Sequence, residues 1–191
     1  MDILAKNICK SFGEKQVLDN FTYTFKSGLT TTVMGPSGCG KSTLIAILMG
    51  VMPYNSGELS PKNSEFRRSA VFQENRLCEN LTCAANIRLV TGKRFTNTEI
   101  ANELAAVGLE GCENKPVREL SGGMKRRVAL LRALLAEYDV LFLDEPFKGL
   151  DSETKGMILS YTKRMTEGKT VILVTHDKSE HDALGGELIT L

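Results

Sequence analysis

The sequence predicts an α/β fold: a mainly parallel sheet with an N-terminal antiparallel β subdomain and an inserted α-helical subdomain. Three patterns carry this expectation. Thr30-Thr31-Thr32-Val33-Met34 reads as a buried strand that runs into a glycine-rich loop, and the segment after it, Thr43 to Met49, is apolar and compatible with a helix. Two more apolar runs of strand length, Val140 to Leu143 and Thr170 to Val174, flank a helical segment that starts near Asp151-Ser152 and stops at Gly168. That is the rhythm of parallel βαβ units. Upstream, Phe21, Tyr23 and Phe25 alternate with Thr22 and Thr24 before a Lys26-Ser27-Gly28 turn, so residues 1–30 read as antiparallel strands.

The region from about residue 74 to residue 120 has a different character. It carries one clear helix signal, Thr96 and Glu99 at capping-box spacing ahead of Ile100, Leu104 and Val107, with Gly108 able to end the helix. This stretch is the expected helical insertion. After it, Met124, Val128, Leu131 and Leu135 recur at helical spacing behind a capping serine, Ser121, with Lys125, Arg126, Arg127 and Arg132 on the other faces. With 191 residues and 42% hydrophobic content, the chain is expected to form a single domain over residues 1–191.

Composition excludes several classes of function. The formal net charge of +1 offers no large field to hold nucleic acid or an anionic membrane surface. The apolar runs fall far short of the roughly 20 residues that span a bilayer. Met1-Asp2-Ile3-Leu4-Ala5-Lys6 lacks the features of a secretory signal, so a cytosolic location is expected. The five cysteines, Cys9, Cys39, Cys78, Cys83 and Cys112, have no paired spacing for zinc and are expected to be free thiols.

Gly35-Pro36-Ser37-Gly38-Cys39-Gly40-Lys41-Ser42, followed by Thr43, matches the phosphate-loop pattern between a strand and a helix, and so predicts a P-loop NTPase core. The glycines let backbone N–H groups turn inward around phosphate oxygens, and the helix N-terminus adds positive potential. Lys41 can reach the β- and γ-phosphates, and the Ser42 hydroxyl can bind Mg²⁺. Asp144-Glu145, directly after an apolar strand, supplies a second Mg²⁺ partner and a general base, in that order. Cys39 sits where a thiolate would be stabilised and is expected to react with thiol reagents without a catalytic role.

Leu120-Ser121-Gly122-Gly123-Met124 resembles the signature motif of the ABC ATPases, and other motifs of that family follow the same order along nearly the whole chain. Physically the signature is a second anion site, a serine and two glycines opening a helix. The resemblance implies that Phe12 stacks on adenine, that Gln73 contacts Mg²⁺ and the attacking water, and that His176 contacts the γ-phosphate. It also implies that Ser121, Gly122 and Gly123 contact nucleotide and that Asp151 of Gly149-Leu150-Asp151 lies at a dimer interface. Four positions, in three motifs, depart from the family pattern: Met124 stands for glutamine, Lys148-Gly149 for serine-alanine, and Phe12 for tyrosine.

These features lead to the expectation of an ATPase with ATP and Mg²⁺ as cofactors, dimerising with itself or with a related ATPase. Its expected role is the cytoplasmic motor of an ABC transporter, peripheral on the inner face of the cell membrane through transmembrane permease subunits. The stretch Val71-Phe72-Gln73-Glu74-Asn75-Arg76-Leu77, with Leu81-Thr82 beyond, resembles bacterial importer subunits for small anions such as sulfonates. An importer would also work with an extracytoplasmic solute-binding protein. The alternative is a soluble, non-transport ABC ATPase, although the coiled-coil or zinc-bearing insertions of the repair and chromosome types and the doubled ATPase unit of the translation type are not evident. A P-loop kinase or GTPase would not carry the signature and histidine motifs. With the chain ending at Leu191, no C-terminal regulatory domain is expected.

Overall fold

The computed structural model describes residues 1–62 and 65–191. The chain runs β1 (Ile3–Phe12), β2 (Lys15–Phe25), β3 (Thr30–Met34), α1 (Lys41–Leu48), β4 (Ser56–Ser60), β5 (Arg68–Val71), α2 (Cys83–Thr91) and α3 (Asn97–Ala106). It continues through α4 (Gly122–Leu135), β6 (Val140–Asp144), α5 (Ser152–Met165), β7 (Thr170–Val174), α6 (Lys178–Leu184) and β8 (Glu187–Thr190). An antiparallel sheet has the order β2-β1-β4, and a wholly parallel sheet the order β5-β6-β7-β3-β8. The fold is therefore the expected α/β arrangement.

Period-two alternation in the central strands divides the interior in two. Val140 and Phe142 of β6 and Ile172 and Val174 of β7 pack on one side with residues of β1, β2, β3 and α1. Leu141, Leu143, Val171 and Leu173 point the other way, into a core with α2, α3, α4 and α5. A strand buried on both faces must be apolar at every position, which is why these strands are legible as continuous hydrophobic runs.

Three strands lack that signal. β4 buries only Leu59, β5 is short and begins with Arg68, and β8 alternates half-buried with exposed residues. The 74–120 region also holds a second helix, α2, beyond the one its sequence signals. Exposed Leu89 and Val90 break its apolar stripe, while Thr82 caps it by accepting from the Ala85 N–H at 3.1 Å. α3 forms as expected, with both halves of the Thr96–Glu99 capping box present. Gly108, at φ +68°, then ends it, its N–H bonded to the Ala105 carbonyl.

α4 departs from expectation at one position. Arg126 is not on a solvent face; it is 4% exposed, in a helix covered on several sides because Ala129, Leu130, Ala133 and Leu134 are buried along with the predicted stripe. Among the described residues no helix is long and apolar enough to cross a membrane.

Candidate nucleotide and catalytic site

The C-terminal ends of β3, β6 and β7 converge on a cleft of 560 Å³ lined by Gly35, Ser37, Gly38, Gly40, Lys41, Ser42, Thr43, Gln73, Asp144, Glu145 and His176 together with Val17, Lys148 and Val174. Clefts at this edge of a parallel sheet are where α/β folds bind ligands. Gly40 closes the loop at φ +110°, and a Cβ there would lie 2.8 Å from Val17 Cγ1. Only glycine lets the loop turn against β2 at this point. Lys41 Nζ donates to the Gly35 and Pro36 carbonyls at 2.8 and 2.9 Å, so its ammonium is held over the loop. Cys39 Sγ lies 3.9 Å from the same nitrogen, and Pro36 accepts from the Cys39 N–H.

Asp144 is 6% exposed at the end of β6. Burial raises its carboxyl pKa above the ordinary value, with neighbouring Glu145 adding to the effect, while the Ser42 hydroxyl, Arg126 and Lys41 pull it down. Its Oδ1 is buried with no hydrogen-bond partner in the structure, next to a serine hydroxyl at a phosphate loop. A buried carboxylate oxygen left unmatched beside oxygen donors fits a hard cation such as Mg²⁺.

Glu145 adopts φ +50°, a left-handed backbone that costs a non-glycine residue roughly 1–2 kcal/mol. Its own N–H donates to the Val174 carbonyl at 2.9 Å, which ties the residue to β7. The turn aims the carboxylate at His176, whose Nδ1 lies 2.9 and 3.0 Å from the two Glu145 oxygens. An ionised carboxylate only accepts, so Nδ1 is the donor in this pair.

Beneath this cleft Arg126 spreads all three guanidinium nitrogens over carbonyl oxygens. Nε donates to Pro146, Nη1 to Phe72 and Gln73, and Nη2 to Asp144 and Glu145. Nη1 also reaches Asn75 Oδ1 at 3.2 Å. The helical pattern gives no hint of this, because an arginine among Lys125, Arg127 and Arg132 reads as part of a solvated face.

The remaining predicted residues lie outside the cleft lining. Phe12, at the end of β1, is 49% exposed, with Lys10 Nζ 5.0 Å from its ring centre. Ser121 caps α4, accepting from the Met124 N–H at 3.3 Å. Nothing approaches within 4 Å of a Cβ on Gly122, and Gly123 backs onto Leu150. Asp151 caps α5 by accepting from the Thr154 N–H at 2.9 Å, and that hydrogen bond lowers its pKa.

A family model described as ABC transporter matches residues 18–148. The chain belongs to the ABC transporter family. As an ABC cassette, it is 33% identical to the spermidine/putrescine import ATP-binding protein PotA of Mycoplasma capricolum over 97% of its length and 57% of that protein's. It is 38% identical to the taurine import ATP-binding protein TauB of Escherichia coli O157:H7, over 94% and 75%. The chain thus spans little more than half of the first relative and three quarters of the second. The solved dimeric cassette MJ0796, a bacterial ABC transporter cassette, superposes with a TM-score of 0.85 at 30% identity, covering 99% of this chain and 94% of that one. A post-hydrolysis form of MJ0796, bound to ADP and phosphate, gives 0.84. ABC ATP-binding proteins hydrolyse ATP.

In this cassette the segment after His176 is anchored by charge. Lys155 Nζ sits 2.6 Å from Asp177 Oδ2 and 2.5 Å from Glu180 Oε1. Lys155 first, then Ser179, holds the Asp177 carboxyl well below the usual carboxylate range. A carboxyl depressed in the folded state stabilises it above the unfolded pKa and loses that contribution as pH falls through the folded value. Asp177→Asn keeps the helix cap but not the charge, so it is expected to lose about 1 kcal/mol or less at pH 7, allowing for screening of this partly exposed pair. The gap from the parent begins to close at about pH 4, the unfolded value, and narrows further as pH falls toward the depressed folded value, and urea midpoints across that range read both effects.

Proposed function

We propose that this chain is the ATP-hydrolysing motor of an importer, acting on the inner face of the cell membrane through separate permease subunits. The carrying observation is that Lys41, Ser42, Gln73, Asp144, Glu145 and His176, drawn from distant parts of the sequence, line one cleft. The importer relatives support the transport role. PotA and TauB are named for a polycationic polyamine and for taurine, a zwitterionic aminosulfonate, yet both resemble this chain to a similar degree. That similarity fits cargo selection by the permease and by an extracytoplasmic solute-binding protein.

The loop from Gly35 to Thr43 cradles the phosphates, Lys41 exchanging its carbonyl contacts for β- and γ-phosphate oxygens, and Phe12 stacks on the base. Ser42, Asp144 and Gln73 would hold Mg²⁺, which when bound neutralises charge on the phosphates. Glu145 takes a proton from the attacking water as its oxygen bonds to the γ-phosphorus and the bond to ADP breaks. His176, donating through Nδ1 to Glu145, keeps that carboxylate oriented and faces the γ-phosphate. Ser121, Gly122 and Gly123 bind the nucleotide of a second copy, or of a related ATPase, and Asp151 lies between the two. The whole of residues 1–191 acts as one ATP-binding domain, with the helices of residues 74–120 meeting the permease.

In reconstituted vesicles, Gln73→Ala is expected to lower transport at least several-fold more than it lowers basal hydrolysis by the isolated subunit. Equal losses in the two assays would make Gln73 catalytic only. A membrane protein copurifying from native cells would identify the permease.

A further inference from the structure

We propose that Arg126 is a positioning residue that locks the Gln73 segment to the catalytic turn, so that Glu145 is aimed only while the two are joined. The proposal rests on the roles given above to Gln73 and Glu145. It starts from the unusual company of a buried charge. Buried cations are ordinarily neutralised by a carboxylate. Arg126 is 4% exposed and, among the described residues, has no carboxylate oxygen within ion-pair distance, although Asp144 and Glu145 are close enough to favour its charge.

Main-chain carbonyls solvate it instead. Two belong to the Gln73 segment, Phe72 at 2.5 Å and Gln73 at 3.3 Å, and three to the catalytic turn, including Pro146 at 2.9 Å and Asp144 at 2.8 Å. The third of those is the carbonyl of Glu145 itself, whose N–H is already fixed to Val174. Both polar groups of a backbone in the left-handed region are thereby held. Arg126 takes no contact from the carboxylates of Asp144 and Glu145, which face Ser42 and His176 instead.

The fork geometry matters as much as the charge. A guanidinium presents donors on three nitrogens in one plane, whereas an ammonium is a single point that cannot span both segments. Arg126 also lies on α4, in its second turn after the Ser121 cap, so the helix that opens with the signature grips the catalytic turn directly. Movement of either the Gln73 segment or α4 must then redirect Glu145.

The test uses the full chain with Mg²⁺-ATP and two substitutions, Arg126→Lys, which keeps charge and packing, and Arg126→Gln, which keeps only an amide. ATP-binding sites are counted by equilibrium titration, and turnover is expressed per site. Turnover per site should fall about 10- to 100-fold in both variants, the scale of a misplaced catalytic group, with ATP affinity within about 2-fold of the parent. Asn75→Ala, which removes one acceptor of the same guanidinium, should lower turnover less and add nothing in the Arg126→Gln background. A loss confined to the number of binding sites or to ATP affinity would make Arg126 part of the scaffold and overturn the proposal. So would parental turnover per site in Arg126→Lys, or losses that simply add. Glu145→Gln run alongside separates the two levels: if it hydrolyses normally, the assigned base is wrong, whereas an inactive Glu145→Gln beside active Arg126 variants rejects the positioning role alone.

Discussion

Glu145→Gln is expected to bind ATP with near-parental affinity and to lose hydrolysis by about 10²- to 10⁴-fold, the usual contribution of a general base. The amide has the shape of the carboxylate and its oxygen can still accept from His176 Nδ1, so one of the two contacts remains to hold the side chain in place. What it lacks is a basic lone pair for the proton of the attacking water. Lys41→Ala should fail differently. It removes the cation held over the loop by the Gly35 and Pro36 carbonyls, so phosphate binding goes first and turnover with it. Single-turnover hydrolysis beside equilibrium binding resolves the two, and near-normal hydrolysis by Glu145→Gln would strip Glu145 of its role as base.

Mg²⁺-ATP should convert the Glu145→Gln protein from monomer to dimer, and adding Ser121→Arg should abolish that dimer. The expectation comes from the phosphate ligands. The loop from Gly35 to Ser42 lines the cleft, while Ser121, Gly122 and Gly123 lie outside its lining, with open space around Gly122. A second copy related by a two-fold rotation can bring each signature to the other's nucleotide in an isologous interface. An arginine at position 121 would fill that approach. It also removes the hydroxyl that caps α4, a cost of about 1 kcal/mol. The helix is buried along most of its length and should survive, so ATP binding by the monomer serves as the control. Light scattering with and without ATP reads both outcomes, and an ATP-dependent dimer that forms equally well with arginine at 121 would contradict the shared site.

Legibility in the sequence followed burial. β6 and β7 were readable because both faces are covered, and α3 because Thr96, Glu99 and Gly108 spell out its two ends. β4, β5 and β8 carry too few buried side chains to show a period, and their pairing partners are far away in sequence. Of the candidate site, the phosphate loop and the Asp144-Glu145 pair could be named from local chemistry. Gln73, His176, Phe12, Asp151 and the signature needed family resemblance, since none has a local pattern that distinguishes function from packing. Arg126 escaped both routes: all but one of its partners are main-chain carbonyls, and a carbonyl leaves no mark on the residue type that carries it.

The split interior has a mechanical consequence. Neighbouring residues of β6 and β7 feed different cores, so the layer that carries β1, β2 and α1 and the layer that carries α2 to α5 share a plate and not a common filling. Close packing on each side makes each layer stiff, and sliding one across the plate disturbs only its own contacts. The rim where the strands end is therefore where any shear between the two slabs would be felt. The phosphate loop and the Asp144-Glu145 turn stand along that rim, where a small shear between slabs would become a change of aim.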